Sequence, residues 1–144
     1  MRLEIMRRSD IALRSVRLLH EDGGTLQAAE IAAGLGSTPQ FVPQVLAPMV
    51  KAGWLTSEPG PRGGYRLRIE PSTRSILDLI ELIEGPTDDG ACVLRGGACT
   101  STSTCSLHDA WTAARDALLE RLASVPLVGE EAEKHKKPIT KGRS

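Results

Sequence analysis

The stretch "WLTSEPGPRGGYRLRI", residues 54–69, decides the fold. "WLTSE" and "YRLRI" are short strand-like runs, and the segment between them, "PGPRGG", is rich in proline and glycine. Two such runs around a turn of this composition are the pattern of a β-hairpin. The sequence therefore predicts a two-stranded hairpin near the middle of the chain.

Two helices are predicted well upstream of the hairpin. Over residues 7–20, apolar residues recur at mostly helical spacing and arginines fill the other positions, which predicts an amphipathic helix with a basic face. "EDGGT" ends this helix. Thr25 is predicted to cap a short second helix over residues 26–33, and "GLGST" then makes a tight turn.

A third helix is predicted over residues 38–52, with Thr38 as its N-cap and Pro39 as its first residue. Pro43 and Pro48 fall inside it, and an interior proline costs about 3 kcal/mol because it removes a hydrogen bond. We therefore expect this helix to be kinked or to start late. Three helices followed by a hairpin make a winged helix-turn-helix.

The remainder of the chain is also mainly helical. A fourth helix is predicted from residue 72 or 73 to Glu84, where Gly85 and Pro86 stop it. A later helix has apolar residues every three or four positions, a narrow seam suited to a partner chain. The seam consists of Leu107, Trp111, Ala114, Leu118, Leu122 and Val125.

The predicted fold class is mainly α with a small β-hairpin. We divide the chain into a winged helix-turn-helix DNA-binding domain (1–84), a cysteine-rich cluster-binding loop (85–105), a dimerisation helix (106–125) and a disordered tail (126–144). The tail is charged and unpatterned. With 144 residues, 40% of them hydrophobic, the chain supports one core rather than two.

The fold predicts which side chains read DNA. The third helix enters the major groove, where Thr38, Gln40, Phe41 and Gln44 reach base edges or phosphates. Arg62, at the hairpin tip, is free to enter a minor groove or to pair with phosphate, and Arg7, Arg8 and Arg14 add phosphate contacts. The formal net charge of zero neither requires nor excludes a double-stranded DNA partner. The alternative is a small domain with solvated arginines.

Nothing in the sequence predicts a membrane segment. No apolar run approaches the roughly 18 residues that span a bilayer, and "MRLEIMRRSD" lacks the apolar region of a signal peptide. We expect a cytoplasmic protein. In that reducing compartment, three close cysteines favour a metal site over a disulfide framework.

The cysteines and a histidine follow the spacing C-x6-C-x5-C-x2-H, at Cys92, Cys99, Cys105 and His108. Thiolates select iron-sulfur clusters, zinc or Cu(I). The spacing departs from the C-x2-4-C pairs of zinc sites, and an iron-sulfur cluster, being larger, accepts wider separation. Zinc, or free thiols in redox chemistry, remain alternatives. Asp10 is either an acidic residue favoured by the helix dipole or an oxygen ligand donated to a neighbouring subunit's cluster.

Several motifs occur in a family order: "SDIALRS", the wing "GPRGGYRL", the segment "ILDLIELIEG" and the three cysteines. The chain resembles the family of winged-helix iron-sulfur transcriptional regulators that includes IscR and NsrR. The resemblance implies a homodimer joined by the last helix, with the cluster loop close to the partner's DNA-binding domain. It implies a repressor whose operator affinity depends on an iron-sulfur cluster, sensing cluster or iron status, redox stress or nitric oxide, and not an enzyme.

The resemblance leaves the fourth ligand open. "CSLHDAW" is similar to IscR, in which three cysteines and a histidine hold a [2Fe-2S] cluster, so His108 carries over. "SDIALRS" is closer to NsrR, in which an aspartate of the other subunit completes a [4Fe-4S] site, so Asp10 carries over. The first cysteine gap is one residue longer than usual, and Pro43 and Pro59 replace an acidic residue and an arginine of such relatives. The alternative function is a zinc-stabilised or cluster-free DNA-binding protein without a sensor role.

Overall fold

The computed structural model describes residues 3–88, 90, 92–94, 99–100 and 102–129. Within these residues the chain forms five α-helices, one short 3-10 helix and one antiparallel hairpin, in the predicted order. The elements are α1 (Arg7–Asp22), α2 (Ala28–Leu35), α3 (Phe41–Lys51), β1 (Leu55–Glu58), β2 (Gly64–Leu67), the 3-10 helix (Pro71–Thr73), α4 (Ile76–Glu84) and α5 (His108–Ser124). The mainly α fold class with a small hairpin is confirmed. Among the described residues, no helix is both long and apolar enough to cross a bilayer.

The hairpin pairs Leu55 with Leu67 and Glu58 with Gly64, and its base is fixed to the rest of the domain. Leu26, between α1 and α2, exchanges two backbone hydrogen bonds with Tyr65, of 3.0 and 2.8 Å. Gly64 has φ +131°, and a Cβ atom there would collide with the backbone of Leu26. The glycine is therefore required for the close approach of the hairpin to the helices.

One apolar core lies between α1, α2, α3, β1 and α4. The four helices supply most of its buried side chains because each presents one apolar stripe to the others, and β1 adds Leu55. The largest fully buried apolar side chains are Leu19, Ile31, Leu46, Met49, Leu55, Leu79, Leu127, Val16, Val42 and Val45. One face of α3 is buried in this core. The opposite face, at the start of the helix, therefore lies at the surface.

The second helix starts later than predicted. It begins at Ala28 rather than at residue 26, because the hydrogen bonds of Leu26 with Tyr65 keep that residue extended. Thr25 is therefore not the cap. Gln27 precedes the first turn, and its backbone N–H donates to the Glu30 carboxylate at 2.7 Å.

The third helix starts late, as expected, so the predicted N-cap Thr38 and first residue Pro39 are wrong: Gln40 precedes the first turn. The helix begins at Phe41, whose backbone N–H donates to the hydroxyl oxygen of Thr38 at 3.3 Å. Pro43 is then the third helical residue, where a missing N–H does no harm because first-turn amides have no intrahelical partner. Pro48 lies in the interior of the helix.

The fourth helix begins at Ile76, so the predicted start at residue 72 or 73 is wrong. Pro71–Thr73 form a separate 3-10 turn, and Ser75 caps α4 instead. The Ser75 N–H donates to Asp78 at 2.8 Å, and the Asp78 N–H donates to the Ser75 hydroxyl at 3.1 Å. This reciprocal pair outcompetes an earlier start. The predicted end at Glu84 and Gly85 is confirmed.

The boundary predicted at residue 126 is wrong for residues 126–129. Leu127 is fully buried, its N–H donates to the Arg74 carbonyl at 2.9 Å, and its own carbonyl accepts from the Arg17 guanidinium at 2.9 Å. Two adjacent apolar residues, Leu127 and Val128, ahead of a charged segment leave no periodic signal. The remaining part of the predicted tail, residues 130–144, lies outside the described residues.

Candidate metal centre and nucleic-acid interface

The three cysteine sulfurs converge. The Sγ atoms of Cys92, Cys99 and Cys105 all lie within 4.8 Å of one another, and none of the three forms a disulfide. A tight turn brings two of them together: Thr100 and Ser103 exchange backbone hydrogen bonds of 3.3 and 3.1 Å. The turn explains how cysteines separated by five residues reach one point.

Hydrogen bonds and mutual contact change the acidity of this group. The pKa of the Cys99 thiol is raised from its ordinary value. The largest single influence, a hydrogen bond with the Cys105 backbone, lowers it, but the hydrogen bond with the Cys92 side chain, desolvation and contact with the Cys105 side chain outweigh it. Adjacent thiolates repel one another, and a bound metal ion removes that repulsion.

A cavity of about 200 Å³ lies beside the sulfurs. One wall is the cysteine segment, and the other is the first two turns of α5, which contribute His108, Trp111, Thr112 and Arg115. His108 is the first residue of α5, and its backbone N–H donates to the Cys105 carbonyl at 3.1 Å. The helix is thus attached directly to the last cysteine, and the histidine faces the same space as the thiols.

The residues present fit a soft metal or an iron-sulfur cluster. Three thiolates gathered at one point are the donor set for iron-sulfur clusters or zinc. The Leu94 backbone N–H lies 3.4 Å from the Cys92 sulfur, and hydrogen bonds to sulfur stabilise bound thiolates. Among the described residues, the group whose ligand atoms lie within 4.8 Å of one another consists of the three cysteines. His108 lines the cavity but does not belong to this group.

Asp10 lies elsewhere on its own chain. It belongs to the first turn of α1, its side chain is half exposed, and its carboxylate pairs with Arg14 at 3.5 Å. It is not among the residues that line the cavity. Its assignment as a ligand requires a second subunit and remains a prediction.

Sequence analysis missed two residues of the cavity wall, Asp88 and Arg115. The Arg115 guanidinium pairs with the Asp88 carboxylate at 3.1 Å, and the same oxygen accepts from the Gly90 N–H at 3.0 Å. Helical spacing carried a signal for Arg115, because a residue seven positions after His108 lies on the same face of the helix. No local pattern identified Asp88.

The predicted DNA-reading residues lie together at the start of α3. Thr38, Gln40 and Gln44 are exposed and Phe41 is half-buried, while the opposite face of the helix enters the core. The Gln44 side-chain amide donates to the Gln40 carbonyl at 3.3 Å. These neutral polar side chains form a surface suited to base edges in a major groove.

Two of the three predicted α1 arginines reach this surface. The Arg7 guanidinium lies 5.6 Å from the centre of the Phe41 ring, and the Arg8 guanidinium donates to the Gln44 carbonyl at 3.1 Å. Arg14 instead donates to the Leu35 carbonyl at 3.4 Å, at the end of α2. The predicted phosphate contact of Arg14 stays a prediction.

Arg62 is exposed in the turn of the hairpin. The Gly63 N–H donates to the Gly60 carbonyl at 3.0 Å, and the preceding Pro61 carbonyl accepts from the Gln27 side-chain amide at 2.6 Å. The turn is held in place by these bonds while the Arg62 side chain extends from the domain. Its predicted contact with a minor groove or phosphate is sterically open.

The chain matches a family model over most of its length. Residues 5–128 match the Rrf2 model, described as iron-dependent transcriptional regulator. The HTH-type transcriptional regulator IscR of Aliivibrio salmonicida is 29% identical over 93 residues, which are 65% of this chain and 55% of that protein. IscR of Escherichia coli O1:K1 is 27% identical over 109 residues, 76% of this chain and 67% of that protein. The chain thus spans little more than half the length of the first of these curated relatives.

Solved structures agree on the fold. The structure of CymR, the global cysteine regulator of B. subtilis, superposes with a TM-score of 0.69 at 25% identity, over 88% of this chain and 94% of that one. T. potens IscR gives a TM-score of 0.72 at 21% identity, over 97% of this chain and 94% of that one. These relatives are regulators rather than enzymes, as predicted. The winged-helix fold and the extent of the family match together show that the chain belongs to the Rrf2 family of transcriptional regulators.

Proposed function

We propose that this protein is a homodimeric, DNA-binding transcriptional repressor whose affinity for its operator is controlled by an iron-sulfur cluster held by Cys92, Cys99 and Cys105. The observation that carries the proposal is the convergence of the three sulfurs within 4.8 Å. The signal is the state of the cluster, which responds to iron supply, to redox stress or to nitric oxide.

The cluster part of the proposal rests on the donor set. When bound, an iron-sulfur cluster supplies a centre that oxidants and nitric oxide alter or remove. His108 is the favoured fourth ligand because it lines the same cavity as the thiols. Asp10 of a second subunit is the alternative, and either ligand is more labile than a fourth thiolate.

The DNA part rests on the surface around α3. Thr38, Gln40 and Gln44 are exposed on one side of a helix whose other side is fixed in the core. Arg7 lies beside them, and Arg62 extends from the hairpin. A rigid helix with polar side chains, flanked by cations, suits base reading with phosphate contacts around it.

The dimer part rests on α5. None of its side chains is fully buried within the chain, although the helix carries the predicted apolar seam. The end of the seam, Leu122 and Val125, packs partly against the core, while Leu118 is 46% exposed. An apolar face of a helix is ordinarily covered. A second copy of the chain, packed on α5, is the cover that we propose.

Hydrogen bonds offer a route from the cysteine segment to the DNA-reading surface. At the start of the segment, the Thr87 hydroxyl donates to Glu81 of α4 at 2.6 Å. At the end of α4, Glu84 accepts from the buried hydroxyl of Ser9 on α1. Arg8, the residue before Ser9, donates to Gln44 of α3 at 3.1 Å. Ordering of the segment by a cluster therefore biases the position of α1 against α3.

The test is anaerobic purification followed by absorption spectra and native mass spectra of wild type, Cys99→Ala, His108→Ala and Asp10→Ala. Operator affinity is measured in gel shifts with double-stranded DNA selected from a random library. We expect a coloured wild type with cluster mass, a colourless Cys99→Ala and a large difference in DNA affinity between them. Equal affinities for cluster-loaded wild type and Cys99→Ala would rule out control by the cluster.

A zinc-stabilised regulator is the second candidate. Three thiolates and a histidine are also a ligand set of structural zinc sites, and His108 lies at the cavity. In that case the wild type is colourless, contains one zinc ion per chain and binds DNA without responding to oxidants. Zinc would leave the DNA-binding part of the proposal intact and remove the sensor part.

A further inference from the structure

We propose that Arg8 positions the DNA-reading face of α3, because it supplies the hydrogen bond that Pro48 removes from the middle of that helix. The inference rests on the proposed DNA-binding function and adds a residue with a defined role to it. It also changes the role predicted for Arg8 from a phosphate contact to an internal support.

Pro48 creates an open acceptor in α3. In an α-helix the N–H of residue 48 donates to the carbonyl of residue 44, and proline has no N–H. The helix nevertheless continues past Pro48 to Lys51. The Gln44 carbonyl therefore lacks its ordinary intrahelical donor, and the Arg8 guanidinium donates to it at 3.1 Å. A charged donor makes a stronger bond than a neutral one.

Pro43, the other proline of the helix, illustrates why position matters. Pro43 is the third residue of α3, where a helix amide has no intrahelical acceptor to lose. Only Pro48, of these two prolines, opens a carbonyl in the helix interior. The donor that reaches this carbonyl comes from a different helix, α1, and lies 36 positions earlier in the chain.

The supported residue belongs to the DNA-reading surface. The backbone of Gln44 accepts from Arg8, and its side chain donates to the Gln40 carbonyl at 3.3 Å. Arg7, beside Arg8, lies over the Phe41 ring at 5.6 Å. The first turn of α1 thus lies along the exposed face of α3 and fixes the backbone from which Gln44 extends.

A double-mutant cycle on the full chain without DNA tests the support. Urea unfolding is compared for wild type, Arg8→Ala, Pro48→Ala and the double variant. We expect Arg8→Ala to raise the equilibrium constant of unfolding about fivefold, as for loss of one hydrogen bond. In the Pro48→Ala background the new amide replaces the guanidinium, so the effect falls below about twofold. Arg7→Ala is the matched control, and its effect is the same in both backgrounds.

Base preference tests the positioning role. Each variant selects sequences from a random double-stranded DNA library, and Gln44→Ala identifies the base position that depends on Gln44. We expect Arg8→Ala to broaden the preference at that position and the Arg8→Ala, Pro48→Ala double variant to recover it. A merely structural loss lowers affinity for all sequences alike.

Three results would overturn the inference. One is an equal effect of Arg8→Ala on unfolding in the two backgrounds. Another is an unchanged base preference with a salt slope of binding reduced by about one, which marks an ordinary phosphate contact. A third is a wild type that enriches no sequence, which refutes the proposed DNA binding and limits Arg8 to helix stability. The cycle without DNA still decides the Arg8 and Pro48 pairing in that case.

Discussion

The molecule has two regions of different character, the winged-helix body (residues 7–84 with Leu127) and the cysteine arm (residues 85–124). All buried apolar side chains among the described residues belong to the body. The arm contains a helix of 17 residues, and none of its side chains is buried. The body is closed by its own sequence. In the arm, Leu122 packs partly against that core, whereas Leu118 and the three cysteines lie outside it.

The difference has a physical origin. In the body, four helices each present an apolar stripe and β1 adds Leu55, and their mutual burial offsets the entropy of ordering the chain. In the arm, the Gly-, Thr- and Ser-rich segment before α5 offers three sulfurs, and α5 carries its apolar side chains on a narrow seam. Metal binding and a partner chain are the remaining sources of order for such a segment. Regulation by ligands suits the region that is not already fixed by its core.

The largest expected effect contrasts a leucine from each region. Leu46→Ala removes a fully buried side chain from the centre of the body, and we expect the free energy of unfolding to fall by about 3–5 kcal/mol. Leu118→Ala truncates a side chain that is 46% exposed on α5, so unfolding of the metal-free monomer should change by less than about 0.5 kcal/mol. Urea unfolding monitored by tryptophan fluorescence measures both.

The dimer completes this contrast. If a second copy covers α5, Leu118→Ala weakens self-association, which analytical ultracentrifugation over a range of concentrations measures. Similar losses of monomer stability for Leu46→Ala and Leu118→Ala would contradict the difference between body and arm, because Leu118 would then belong to the same core as Leu46.

Most of the body was predictable because its signals are local and repeated. The basic amphipathic pattern gave α1, the late start of α3 followed from its prolines, and the turn-rich segment gave the hairpin. The two boundary errors have different origins. A distant contact, the pairing of Leu26 with Tyr65, delays α2. The start of α4 is set by a local capping box of Ser75 with Asp78, a sequence signal that the prediction overlooked.

The site was predictable in composition but not in arrangement. The spacing of the cysteines indicated a shared ligand, and their sulfurs do converge. The Asp88 and Arg115 pair was missed because it joins two elements that are far apart in sequence. The role of Arg8 was also not visible, because it depends on a carbonyl that Pro48 leaves open on another helix.

The second prediction extends the body beyond its expected end. Leu127 is fully buried, and its backbone bonds to both Arg74 and Arg17. We expect Leu127→Ala to lower the free energy of unfolding by about 2–3 kcal/mol, less than Leu46→Ala because the end of the core can relax around the smaller side chain. Urea unfolding measures the loss, with Val128→Ala as a half-buried control. A loss below about 0.5 kcal/mol would mean that residues 126–129 do not contribute to the core and belong to the tail, as first predicted.

The smallest expected effect on stability concerns Asp88 in the arm. The Asp88 and Arg115 pair is substantially solvent-exposed, so Asp88→Asn should change the free energy of unfolding by less than about 1 kcal/mol. The same change leaves Arg115 paired with Asp116 alone, at 3.7 Å, so its positive charge at the cavity is less fully compensated. A nearby cation favours the thiolate form of a cysteine. Asp88→Asn should therefore lower the raised pKa of the Cys99 thiol.

Cysteine alkylation by iodoacetamide near neutral pH, followed by mass spectrometry of the metal-free protein, measures this effect. We expect faster alkylation of Cys99 in Asp88→Asn and slower alkylation in Arg115→Gln, which removes the cation instead. Equal rates in wild type and both variants would mean that the pair exerts no net field at the sulfurs. Opposite changes in the alkylation rate, with the free energy of unfolding unchanged, would instead show that a charge in the arm controls the reactivity of the cysteines. By contrast, a side chain lost from the body lowers the stability of the fold.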